Sequence, residues 1–293
     1  MKADNSVRQS RTEPASAAAR RQDAGETRAC RQAAARGDYK NWMPKGMIWS
    51  FLGGALGSAA VAVVLSLLLK GTLRTVLVVV FAALAVVFCG LTVWAVLMRR
   101  AFSYDGKRQM SRQIIEGTAA HVKLPDGGRC LDVGCGSGAL AIAVAKRNPR
   151  GEIVGIDRWG KEYASFSKNL CEGNARAEGV KNASFRQGDA THLEFADETF
   201  DAVVSNYVYH NIPGNRQEYL LETLRTLKKG GTFAIHDIFS KLKYGDMQAF
   251  VQKLKDMGYE KVELIDTTDG TYMTKFEAAW MALSGSALLT GIK

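Results

Sequence analysis

Two uncharged runs, 47–69 and 75–98, stand back to back in the first third of this 293-residue chain. At about 1.5 Å of rise per residue, each is long enough as a helix to cross a hydrocarbon core of roughly 30 Å. The first starts too far from the N-terminus, and runs too long, to be a signal peptide. The connector over 70–74, Lys-Gly-Thr-Leu-Arg, is short and holds a glycine, as a tight antiparallel hairpin requires. A transmembrane helical hairpin is therefore expected over 45–99. Small residues recur four apart at Gly54, Ser58, Ala62 and Ser66, and Gly53 with Gly57 forms a GxxxG pair. Such positions let another helix approach closely, either the second span or a second copy of the chain in a homodimer. They are also simply common in membrane helices. Trp49 and Trp94 fall near the span ends, where aromatic belts sit.

Charge is placed to match. The formal net charge is +10, of which residues 1–46 carry +5 and residues 70–112 carry +6, leaving 113–293 near neutral. Basicity confined to a tail and to the edges of an apolar region suits a membrane surface, and no nucleic-acid partner is expected. Arg28, Arg31, Arg36, Lys40 and Lys45 precede the first span, and Arg99, Arg100, Lys107, Arg108 and Arg112 follow the second. The connector offers only Lys70 and Arg74, so both termini are expected on the cytoplasmic side of an inner membrane. Residues 1–44 are rich in Arg, Ala, Gln, Ser and Asp and read as a disordered basic tail. A stretch over 17–36 has the alternative of becoming helical against an anionic membrane. The five cysteines show no CxxC spacing, which indicates neither a disulfide framework nor a zinc cluster and fits a reducing cytosol. The four histidines lack metal-ligand spacing, and no metal is expected.

After residue 100 the texture changes. Short apolar strands are expected over 129–133, 152–157, 183–188, 200–206, 231–238, 261–265 and 287–292. Helical stretches over 138–146, 163–178, 217–227 and 246–257 separate most of them. This alternation predicts an α/β domain over 100–293, a Rossmann-like seven-stranded, mostly parallel sheet with helices on both faces. Ligands of such sheets bind at the carboxyl ends of the strands.

The most informative stretch is Leu131-Asp132-Val133-Gly134-Cys135-Gly136-Ser137-Gly138, followed by a helical Ala-Leu-Ala-Ile-Ala-Val-Ala. Glycine permits unusual torsions and lets a ligand approach bare backbone, and free amides at the helix start favour an anion. The spacing is GxGxG, not the GxGxxG of dinucleotide enzymes, and Asp132 stands two residues before the first glycine. Here the chain resembles the class I S-adenosylmethionine-dependent methyltransferases, over roughly 110–293. The likeness continues in Gly155-Ile156-Asp157, where the family's acid holds both ribose hydroxyls, and in Gly188-Asp189-Ala190, where its acid meets the adenine amino group. Phe200 to Asn206 matches the fourth strand. Leu227-Lys228-Lys229-Gly230-Gly231 resembles the turn before the fifth, with Lys229 where proline is usual. The stretch Leu193 to Asp201 looks most like the ubiquinone and menaquinone branch. The resemblance implies S-adenosylmethionine as cofactor, contacted by Asp132, Gly134, Cys135, Gly136, Gly138, Asp157, Arg158, Asp189, Ala190 and Asn206. Trp159 either lies against adenine or is an ordinary core or surface residue.

A sulfonium methyl needs no activation, so catalysis by such a protein is mainly in-line placement of the acceptor. A general base is needed only where the acceptor carries a proton. Candidates are Tyr207, Tyr209 and His210 after the fourth strand, and His236 with Asp237 in the fifth. Of these His210, Tyr207 and Asp237 are the chosen catalytic set, with a structural role the alternative for His210 and a pocket wall for the tyrosines. Cys135 reads as packing and not as a nucleophile. Tethering raises the effective concentration near membrane-dissolved molecules, so a small lipid-like, quinone-like or other apolar acceptor is expected. Soluble molecules, thiols and membrane-protein side chains stay open. Two rival readings share these motifs: a catalytically silent S-adenosylmethionine-binding membrane sensor or scaffold, and a nicotinamide dehydrogenase, whose cofactor diol Asp157 would equally suit.

Overall fold

A computed structural model describes residues 37–160 and 165–293. The expected tail over 1–36, with its helical alternative over 17–36, and the start of the helix expected at 163 lie outside the described residues.

Two long helices come first, α1 (Lys45–Leu68) and α2 (Gly71–Ala101). The connector is shorter than expected, because the helix resumes at Gly71, whose φ of +68° turns the chain back. Both are long and apolar enough to cross a membrane. Only 11% of the most apolar window of α1, and none of that of α2, is buried within the protein. A soluble core helix would show the opposite. A Cβ at Gly54 would lie 3.0 Å from the Phe88 ring, so this position admits α2. Gly53 and Gly57 meet nothing within 4 Å, and the GxxxG pair leaves its face open.

The catalytic-sized domain follows, opening with α3 (Met110–Ala119). Strands β1 (Arg129–Val133), β2 (Glu152–Asp157), β3 (Ala183–Gln187), β4 (Phe200–Asn206), β5 (Leu227–Ile238), β6 (Glu260–Asp266) and β7 (Ser286–Ile292) form one sheet in the order β3-β2-β1-β4-β5-β7-β6. Pairing is parallel from β3 through β5 and antiparallel at β7, the Rossmann-like arrangement read from the sequence. The order reverses between β1 and β4, which opens a crevice at their carboxyl ends. β1 and β4 are apolar on both faces because helices cover both. The interstrand helices are α4 (Ala139–Arg147), α5 (Lys168–Ala177), α6 (Arg216–Arg225), the short α7 (Lys241–Tyr244), α8 (Met247–Asp256) and α9 (Lys275–Trp280). Among the described residues, the helices that the sequence did not signal are α3, α7, α9 and a three-residue 3-10 helix at Tyr209–Asn211. The six-residue α9 is held by a capping box between Thr274 and Glu277, too short to show apolar periodicity.

The hairpin is docked, not hung on a linker. Ala95, Met98 and Phe102 are buried with Met110, Ile114 and Met281. Trp94 Nε1 donates to the Trp280 carbonyl at 2.9 Å, and the Arg99 guanidinium donates to the Met43 carbonyl at 2.6 Å. Residues 37–44 correct the expectation of disorder through residue 44. The Tyr39 ring is 5% exposed and lies 4.5 Å from the Tyr104 ring. The Asp38 amide donates to Asn174 Oδ1 at 2.7 Å, and the Gly37 amide to Glu178. The physical reason is composition: Tyr39, Trp42 and Met43 bring the large apolar surface that the preceding residues lack.

Because Tyr39 fills a core position, Tyr39→Ala should destabilise the domain by about 3 kcal/mol, the cost of an emptied aromatic site. Thermal unfolding in micelles reads this, and a midpoint equal to wild type would return residues 37–44 to the tail.

Candidate active site

A cavity of about 820 Å³ lies at the carboxyl ends of the parallel strands. The turn after β1 forms its floor. Gly134, Gly136 and Gly138 all have φ between +54° and +80°. At Gly134 a Cβ would also sit 2.3 Å from the Val208 side chain, so glycine is needed twice over. At Gly136 the nearest atom would be 3.7 Å away, on Phe166, so this backbone stays bare toward the cavity.

Asp157 ties the turn down. One of its oxygens accepts from the Gly136 amide at 2.9 Å and the other from the Trp159 amide at 2.7 Å. Trp159 Nε1 donates to the Gly136 carbonyl at 3.0 Å, so the indole props the turn. Asp132 is 1% exposed and accepts from the Ala141 amide at 2.9 Å, capping the first turn of α4 from the strand below. Burial pushes its carboxyl up to about 8. Asp189, beyond β3, is exposed and accepts from the Thr191 amide and hydroxyl, which hold it below the usual carboxylate range. Arg158, Ala190 and Asn206 also line the cavity, as do Gly134, Cys135 and Gly136. Gly138 stands behind the wall, a Cβ there meeting Phe185 at 3.0 Å. The Cys135 thiol is raised well above its ordinary value by burial, in keeping with packing.

The proposed proton-handling residues separate cleanly. His210 lines the cavity, and its Nδ1 lies 2.5 Å from Asp237 Oδ1. Asp237 is itself wholly buried and does not reach the cavity. Its carboxylate also accepts from the Tyr209, His210 and Ile238 amides and from the Tyr244 hydroxyl. With Nδ1–H donated to that carboxylate, Nε2 of His210 carries a lone pair. His236 is sealed in the core, one ring nitrogen on Asn206 and the other on Thr267, and burial lowers it to about 3. It stays neutral. Tyr209 is also wholly buried, with its hydroxyl on Thr223. Tyr207 lines the cavity with its ring, while its hydroxyl bonds Ser286 Oγ at 2.7 Å and burial raises it above the ordinary tyrosine value. Ser286 in turn donates to the Leu283 carbonyl, so the tyrosine proton is the one shared between them.

Sequence reading missed the far wall. Trp42, Met43, Met98 and Phe102 come from the hairpin and the segment before it, Met281 and Leu283 from the approach to β7. Trp42-Met43 beside a span was the only signal available for any of them; nothing in the sequence marks Met281 or Leu283.

A family model described as "Methyltransferase domain" matches residues 124–279. An arsenite methyltransferase of Aquipseudomonas alcaligenes is 34% identical over 127 residues, 42% of this chain and 36% of that protein. A demethylmenaquinone methyltransferase of Lactobacillus johnsonii is 33% identical over 116 residues, 39% of this chain and 45% of that protein. The chain thus spans less than half the length of these relatives. Among solved structures, the 4+2 cyclase SpnF matches with a TM-score of 0.50 at 22% identity, over 65% of this chain and 85% of that one, a likeness of fold alone.

The raised Asp132 carboxyl has a consequence for stability. An unfolded aspartate loses its proton near pH 4, whereas the folded one keeps it to about pH 8. Folding therefore favours the protonated form, and this contribution is full below about pH 4 and lost as pH rises toward 8. The thermal midpoint of the ligand-free protein should fall between pH 5 and pH 8, and Asp132→Asn should flatten that fall. Identical slopes for the two proteins would show that the group is not buried as described.

Proposed function

The chain belongs to the class I S-adenosylmethionine-dependent methyltransferase family, and on that premise we propose that it moves a methyl group from S-adenosylmethionine to a small apolar acceptor at a membrane. The observation that carries this reading is convergence: the glycine turn, the strand-tip acids Asp132, Asp157 and Asp189, and His210 all line one cavity. The chemistry of the donor set fits the nucleoside. Each oxygen of Asp157 accepts one amide and keeps a lone pair, which suits the ribose hydroxyls. Asp189 and Ala190 suit the adenine edge, and the turn over 134–138 suits the amino-acid end. The donor supplies a methyl already carried on a positive sulfur, so the protein's task is to place the acceptor atom in line with it.

His210 is the candidate base. Held by Asp237 through Nδ1, it offers Nε2 to an acceptor that must shed a proton, and Asp237 is a positioning residue behind it. Tyr207 serves as wall. The hairpin anchors the domain as an integral protein of an inner membrane, with both termini cytoplasmic, a reading supported by the positive charge flanking α1 and α2. A second copy has the open Gly53–Gly57 face to pack on. The arsenite and demethylmenaquinone enzymes among the relatives support a small-molecule acceptor. The fold alone does not carry methyl transfer, as the cyclase relative illustrates, so turnover decides.

Membranes bearing the full chain, incubated with methyl-labelled S-adenosylmethionine, should yield a labelled product extractable into organic solvent. Binding without product would mean a silent sensor, and binding of NAD alone would overturn the reading. Asp157→Ala should weaken S-adenosylmethionine more than about tenfold in calorimetry, the scale of a lost charged acceptor. Unchanged affinity would refute that assignment. His210→Gln should lower turnover by about 10²-fold or more, with donor affinity retained. A turnover that survives intact assigns His210 to structure.

A further inference from the structure

The cavity is two-ended, and its second end is made by the membrane anchor. Beyond the polar strand tips, its wall passes to Trp42, Met98, Phe102, Met281 and Leu283. Their side chains offer almost no hydrogen bonds, so a polar acceptor entering there would shed water for little in return. The rings form an unbroken series. Phe102 lies 5.4 Å from Trp42, Trp42 stands edge-on to Tyr207 at 5.5 Å, and Tyr207 stands edge-on to His210 at 5.9 Å. One end of the series is the root of α2 and the other is the candidate base.

The depth of that root follows from charge. The 24 residues over 75–98 are uncharged, and Arg99 and Arg100 end the run. Arginines at the end of a span lie at head-group level. Met98 therefore sits at the hydrocarbon edge, and Phe102 is about 5 Å of helix rise beyond Arg99. The root cannot swing away, since Arg99 donates to the Met43 carbonyl, Asn41 Nδ2 to the Arg99 carbonyl, and Trp94 to the Trp280 carbonyl.

We infer that the anchor is a component of the acceptor site: Trp42, Met98 and Phe102 receive a flat apolar acceptor directly from the bilayer and determine which acceptors fit. This rests on the cavity being a methyl-transfer site, and it adds the route of entry and the residues that select. The occupant is a bilayer-dissolved molecule, because the wall it meets is continuous both with the donor end and with the membrane helix.

The experiment uses the full chain in vesicles of phosphatidylcholine and phosphatidylglycerol. The probe is a hydroquinone whose alkyl tail carries a diazirine, dissolved in the bilayer and activated by light. Mapping should find label at Trp42 or Met98, both of which line the cavity. Met98→Trp, which fills the passage, should cut that label at least tenfold while S-adenosylmethionine affinity stays within twofold of wild type. Leu283→Trp, which narrows the same end of the cavity, serves in its place should Met98→Trp lose donor binding through misfolding. Label confined to lipid-facing positions such as Leu67 and Val86, or unaffected by both variants, overturns the inference while leaving methyl transfer standing. A wild-type protein that binds no S-adenosylmethionine overturns the reading beneath it, whatever the label shows.

Discussion

Gly136 is where the structure is pinned. Its amide donates to Asp157, and its carbonyl accepts from the Trp159 indole and from the Cys171 thiol at 3.1 Å. These bonds join the turn after β1, the tip of β2 and α5 at one residue, in a left-handed conformation that glycine adopts at low cost. Asp157 thus does two things with one carboxylate. It fixes the loop and it presents lone pairs to the cavity, so loop order and ligand affinity are coupled through the same side chain. Asp132 is a parallel case, its one oxygen capping α4 while the residue borders the cavity.

Environment separates groups that the sequence presents alike. His210 and His236 both flank the ends of central strands, and both are imidazoles with two usable nitrogens. Core packing occupies both nitrogens of His236 and removes the surrounding water, which leaves it neutral and inert. At His210 one nitrogen is held by Asp237, and the ring borders the cavity. A buried carboxylate with four further donors cannot readily move, so the ring it holds is fixed as well.

The helical hairpin meets the domain at a buried junction. Here Phe102 and Met110 are both buried, and the intervening Arg108 is paired with Glu277 at 2.6 Å. Residues 37–44 close the same junction from the other side.

The sequence by itself determined the elements and the donor end of the site. Apolar runs, glycine spacing and acids at strand ends are local patterns, and β1, β2, β4 and the GxGxG turn fell where those patterns put them. The two long apolar helices were equally plain, because an uncharged run of that length leaves little else to form. Only the tertiary structure decided the rest. Whether a histidine is sealed or open, whether Trp159 props the glycine turn, and whether Tyr39 is tail or core all depend on neighbours 23 to 65 residues away in the chain. The apolar wall is the extreme case: Trp42, Met98 and Met281 have no shared local signal, and they meet because the end of α2 and the approach to β7 pack into one core. Burial and pairing are properties of that packing, and no short window of sequence contains them.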